Sequence, residues 1–141
     1  MIEFHYEDTV FRLENNELYA EWIQAVVRRF ERSVGEINYI FCSDEYLWRL
    51  NVEHLGHEDY TDILTFDLSE PGGELTVDMF ISVERVADNA RELDVLFDDE
   101  LSRVMIHGVL HTLGFDDDDE LQERRMREAE DQMLALRNRV A

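Results

Sequence analysis

Near the C-terminal end the chain reads HGVLHTLGFDDDD, with His107 and His111 four residues apart. On a helix that spacing sets both residues on one face, with Cβ atoms ~5–6 Å apart. Two imidazoles so placed can grip one ion, as in the helical HExxH metal motif. Zinc takes about four tetrahedral ligands, three of them from protein when the fourth position is left open for chemistry. Gly114 lets the chain turn sharply, and Asp117, six residues beyond His111, can fold back over the helix end as a carboxylate ligand. The pattern H-x3-H-x2-G-x2-D is far more specific than H-x3-H alone, which is more often plain helix surface. Asp116 and Asp118 are rival third ligands, while Asp118 and Asp119 also read as a solvated loop or a helix N-cap. An ion with three protein ligands has room for a water and a substrate oxygen. It lowers the pKa of that water toward ~7 and polarises that oxygen. HExxH peptidases take their general base from the residue after the first histidine. Here that residue is Gly108, which speaks against proteolysis.

The surrounding elements must present this pair. IEFHYE (2–7) alternates like a strand. From Glu17 to Arg32, Leu18, Trp22, Ile23, Val26, Val27 and Phe30 form the apolar face of an amphipathic helix. INYIFC (37–42) reads as a strand, and Ser43 caps a helix from Asp44 to about Glu53. The loop HLGHEDY (54–60) precedes a strand TDILTFDL (61–68), an EPGGE turn and a strand LTVDMFIS (75–82). Ser82 caps a helix running to about Leu93. Another helix runs from Asp98 and Asp99 to Thr112 or Leu113 with Gly114 as its C-cap, and a last one spans Glu120 to Arg139. The pattern predicts an α+β (α/β-like) fold: one domain over residues 1–141, with a small mixed sheet of about four strands flanked by about five helices.

A chain of 141 residues with 45% hydrophobic residues can bury a real core. Its one cysteine, Cys42, excludes an intrachain disulfide and favours a reducing, cytoplasmic setting. MIEFHYED has no basic segment followed by an apolar one, so no signal peptide is expected. No apolar run approaches the ~18 residues of a membrane span.

HGVLHTLGFDD resembles the H-G-x-L-H-x-x-G-Y-D-H signature of the YbeY-type endoribonucleases, the bacterial rRNA maturation factors. LNVEHLGHEDYTDILTF (50–66) is similar to the family's LN, short loop and TDVLSF, and VDMFIS (77–82) resembles its G-D-I-x-I-S strand. These motifs keep the family's order and spacing over roughly residues 50–134. The resemblance implies a zinc-dependent endoribonuclease acting on single-stranded RNA. It also implies roles in processing the 3′ end of small-subunit rRNA and in ribosome quality control, with small-subunit proteins as partners. The family's first two ligands fall on His107 and His111, and its third, usually histidine, falls on Asp117. One Zn2+ per chain is implied. The extra negative charge lowers the ion's Lewis acidity and makes Mn2+ or Mg2+ less remote than with three histidines. The family often carries an RNA-facing arginine in the loop before TDVLSF, and Leu55 stands at that position. His54 and His57 beside it, with Thr61 of the TD pair, are the candidate substrate contacts, although loop histidines are more often without function. His5 is assigned no role.

The charge runs against this chemistry. Thirty-four acids face thirteen bases, all arginine, for a net charge of −21. RNA binders normally carry a basic face. Arg28, Arg29 and Arg32 cluster, as do Arg124, Arg125 and Arg127. In the second cluster Glu120–Arg124 and Glu123–Arg127 have the spacing of helical ion pairs. Phe115 and Tyr60 could stack on bases but sit beside apolar neighbours that suggest core positions. Such acidity favours a monomer and points to a saline cytoplasm, because molar salt shrinks the Debye length to ~3 Å and removes most self-repulsion. The melting temperature is therefore expected to rise from dilute buffer to molar KCl. Equal stability in both, read by circular dichroism, would refute a salt-adapted design.

Overall fold

The computed structural model describes residues 1–140. In chain order it contains β1 (Ile2–Glu7), α1 (Asn16–Arg29), β2 (Val34–Cys42), α2 (Asp44–Leu50), β3 (Ile63–Asp67), β4 (Leu75–Ser82), α3 (Val83–Leu93), α4 (Phe97–Thr112) and α5 (Glu120–Val140). The strands make one sheet in the order β1-β2-β4-β3. β1, β2 and β4 are parallel, and β3 runs antiparallel to β4. The mixed four-stranded sheet with five helices is the architecture expected from the pattern, and β1 and β4 have the expected ends.

Other boundaries moved for local reasons. α1 stops at Arg29, and the chain turns at Glu31 with φ 59°, so β2 starts three residues earlier than expected, at Val34. α2 continues as a single π-helical turn, Asn51–Leu55, closed by Gly56 at φ 68°. That left-handed conformation favours glycine. Ser43 and Ser82 cap α2 and α3 as expected, their hydroxyls accepting from the Tyr46 and Arg85 amides at 3.1 Å.

Period-two alternation sorts β4 between the two faces of the sheet. Leu75, Val77, Met79 and Ile81 are buried in the main core, with Ile37, Tyr39 and Phe41 of β2 beside them. α1, α4 and α5 supply Trp22, Met105 and Met133 to the same core. Two buried polar groups lock helices into it: Trp22 Nε1 donates to the Met133 carbonyl at 2.7 Å, and the Tyr39 hydroxyl donates to the Met105 carbonyl at 2.9 Å. α2 lies over the opposite face, where Cys42, Leu47 and Leu64 form a smaller cluster with Phe66 and Phe80.

Gly108 brings α4 down onto the sheet. A Cβ there would stand 2.6 Å from Met79 Sδ and 2.8 Å from Ile63 Cδ1. Overpacking of this kind costs about 1–3 kcal/mol, against which alanine recovers roughly 1 kcal/mol of helix propensity. Gly108→Ala is expected to lower stability by up to about 2 kcal/mol, and an unchanged denaturation midpoint would show that Met79 and Ile63 give way or that α4 lifts. The same crowding leaves no place for the glutamate of an HExxH helix.

Candidate metal centre

The end of α4 is shaped by its C-cap. The Phe115 amide donates to the Leu110 carbonyl at 3.0 Å and the Gly114 amide to the His111 carbonyl at 3.1 Å, with Gly114 at φ 109°. This is a Schellman closure, which requires a left-handed residue at that glycine. It turns the chain back over the helix it has just left.

The four aspartates then divide. Asp119 caps α5, its carboxylate accepting from the Gln122 amide at 2.7 Å, while the Gln122 side chain accepts from the Asp118 amide at 2.9 Å. Asp116 and Asp117 are carried back toward the histidines. Asp117 Oδ2 lies 3.7 Å from His107 Nε2, and Asp116 Oδ1 lies 3.8 Å from His111 Nδ1.

Which ring nitrogen is involved separates these contacts. His107 Nδ1 is bonded to Glu130 Oε2 at 2.8 Å, and His111 Nδ1 meets the Phe115 carbonyl at 3.2 Å. A carbonyl only accepts, so His111 carries its proton on Nδ1. Both rings therefore direct Nδ1 into the protein and present Nε2 outward, the arrangement that orients ligating histidines. Asp117 approaches an Nε2 and Asp116 an Nδ1, so the geometry favours Asp117 as the partner carboxylate. Two donors on one tetrahedral zinc stand about 3.4 Å apart, given bond lengths of about 2.1 Å. The 3.7 Å between Asp117 and His107 matches that separation closely. Among the described residues no three potential ligands already converge on one point. The donor set of two imidazoles and a carboxylate nevertheless suits zinc.

Behind His107 stands a charged relay. Glu130 on α5 is 5% exposed and also accepts from Arg103 Nη1 at 2.8 Å, and Arg103 bonds Asp131 at 2.7 Å. The hydrogen bond that His107 donates to Glu130 holds the His107 pKa above its ordinary value, outweighing burial. Burial alone would raise Glu130, but the bonds from His107 and Arg103 bring it below the usual carboxylate range. The relay and His107 border a cavity of about 160 Å³, lined also by Asp62, Glu100 and Arg127. Desolvation raises the pKa of both Asp62 and Glu100.

The remaining candidates lie apart. His54 packs edge-on against Phe66, with centroids 6.1 Å apart, on the α2 face of the sheet. His57 is exposed, and its amide donates to the Asn51 carbonyl at 3.3 Å. The Thr61 hydroxyl donates to the Ile63 carbonyl at 3.3 Å, and Thr61 itself does not line the cavity that Asp62 and Ile63 border. Leu55 is 47% exposed. Tyr60, expected in the core, is 56% exposed and stacks on Trp48 with Arg85 over its ring. Phe115 packs against Phe30, as a core residue should. Cys42 is buried and its thiol is pushed up to about 12, first by burial and then by Asp44 and Glu7, which removes it as a nucleophile.

The model of the family described as Endoribonuclease YbeY matches residues 2–138. An Endoribonuclease YbeY of Flavobacterium johnsoniae is 47% identical over 136 residues, 96% of either chain. One of Cytophaga hutchinsonii is 43% identical over 136 residues, 96% of this chain and 95% of its own. A solution structure from Thermotoga maritima is similar with a TM-score of 0.65 at 26% identity, over 95% of this chain and 88% of that one. The class is thus that of hydrolases acting on RNA. More narrowly, the chain belongs to the YbeY endoribonuclease family. Among the described residues no helix is long and apolar enough to cross a membrane.

Proposed function

We propose that this chain is a metal-dependent endoribonuclease that cuts single-stranded RNA during maturation of the small-subunit rRNA 3′ end. It works as a monomer in the cytoplasm, alongside small-subunit ribosomal proteins. One Zn2+ is held by His107, His111 and Asp117, with Mn2+ or Mg2+ as weaker alternatives. The observation that carries this reading is the commitment of both Nδ1 atoms to internal acceptors, which leaves two Nε2 atoms and Asp117 Oδ2 as the outward donor set. Bound there, the ion would supply Lewis-acid polarisation of a phosphodiester and acidification of a water. The chain's own residues orient the donors. Glu130 and the Phe115 carbonyl fix the two rings, and the Gly114 turn returns Asp117 to them. His111 and Asp117 are half-exposed, at 51% and 48%, so both would be open to an ion arriving from solvent. His54, His57 and Thr61 are the substrate contacts on the loop side.

The exposure of Leu55 at the position of the family's arginine favours a second reading, a non-catalytic assembly factor with a structural metal. One experiment separates the two. Untagged protein with its metal content measured is incubated with single-stranded RNA, duplex RNA and casein. Cleavage of the single strand alone, lost with chelator and restored by zinc, is expected. About one zinc per chain without cleavage of any substrate would leave the assembly factor.

A further inference from the structure

We propose that Arg127 is the residue that receives a backbone phosphate of the RNA strand next to the metal centre. The inference rests on the endoribonuclease reading and adds a contact to it.

Arg127 lines the same cavity as His107, on the face of α5 that also carries Glu130 one turn further on. The cavity has two guanidinium groups, and only one is engaged. Arg103 is tied to Glu130 and Asp131 at 2.8 and 2.7 Å. Arg127 makes no ion pair or hydrogen bond among the described residues, and neither Glu120–Arg124 nor Glu123–Arg127 forms the pair expected from sequence. Arg28, Arg29, Arg124 and Arg125 are likewise without an ion pair among the described residues, but Arg127 alone of these lines the cavity beside His107.

The carboxylates around it do not cancel it. Glu130 is held by Arg103 and His107. Glu100 is 7% exposed, and its side chain has no hydrogen-bond partner among the described residues. Burial and the proximity of Asp62 push it toward the protonated form, and burial does the same to Asp62. Arg127 therefore keeps five N–H donors in a planar fork that matches two phosphate oxygens.

The test is equilibrium binding of a short single-stranded 2′-O-methyl RNA, checked on a gel for intactness, to zinc-loaded protein over a series of KCl concentrations. Log affinity falls linearly with log salt, with a slope of about −0.7 for each phosphate neutralised on a single strand. Arg127→Ala is expected to weaken binding for every strand sequence and make the slope shallower by about 0.7. Metal content and circular dichroism stay unchanged. Arg127→Lys keeps the charge and is expected to restore the slope, with weaker affinity because the fork is lost. Arg28→Ala, on α1, is the control and leaves both quantities as in the parent. A parent slope retained in Arg127→Ala would overturn the assignment while leaving the endoribonuclease reading intact. A parent protein that binds no single-stranded RNA at any salt would overturn both.

Discussion

His111→Ala is expected to lose its metal and its ribonuclease activity while keeping its fold. His111 is half-exposed, and its one hydrogen bond runs to the Phe115 carbonyl of the loop it faces. Removing the ring leaves no buried charge behind, so stability should change by less than about 1 kcal/mol. Metal affinity should fall by more than the ~10–100-fold that loss of a mere orienting partner costs, leaving well under one zinc per chain after dialysis. Asp117→Ala should behave alike. Asp116→Ala should keep its zinc, because Asp116 faces an Nδ1 already turned to a carbonyl. Elemental analysis of the three variants decides the ligand set independently of any activity assay. If Asp117→Ala retains zinc and Asp116→Ala loses it, His111 ligates through the other nitrogen and the ring orientation inferred here is wrong. If all three retain it, the ion sits elsewhere.

The site divides into a part visible in the sequence and a part that only folding assembles. His107, His111, Gly114 and Asp117 lie within eleven residues, and helical periodicity with one glycine is enough to bring them together. Ser43 and Ser82 were readable as caps for the same reason, since each cap is made with an amide three residues on. Glu130 is 23 residues from His107 on another helix, and nothing local ties the two. Asp62 precedes β3 and reaches the cavity because α4 lies low on the sheet over Gly108. Arg103 and Glu100 carried a faint signal, standing four and seven residues before His107 on the same face, yet spacing alone does not tell a relay from a solvated surface. The arginines of α5 show the reverse error. Glu120–Arg124 and Glu123–Arg127 have good ion-pair spacing, but exposed pairs gain so little that spacing does not guarantee them. Tyr60 is a different case: polar Asp59 and Thr61 flank it, and it stacks on Trp48 at the surface rather than entering the core.

Glu130→Gln is the more searching perturbation, because it keeps the shape of the relay and removes its charge. In the parent, His107 Nδ1 and Arg103 share a carboxylate that is 5% exposed. A neutral amide still offers an oxygen to Nδ1 but no longer raises the basicity of the ring. Loss of such an orienting carboxylate typically costs ~10–100-fold in metal affinity, measured by competition with a chromophoric chelator. The metal-free protein gives a second readout with a definite sign. His107 has a raised pKa in the folded state, so its share of the ion-pair stabilisation is full below its ordinary value of 6.5 and is lost as pH rises through the raised one. Glu130 has a lowered pKa, so its share is present above the ordinary carboxylate range and is lost as pH falls through the lowered one. The stability gap between parent and Glu130→Gln, about 1–3 kcal/mol for a charge-assisted bond, should therefore be widest between the carboxylate range and pH 6.5. It should narrow on the alkaline side, where only the Arg103 bond remains. Zinc competes for a His107 that must be neutral to ligate, so parent affinity should also fall steadily as the solution is acidified. A gap that is flat across this range, with metal affinity unchanged, would reduce Glu130 to a packing residue and place the control of His107 in the Gly114 turn alone.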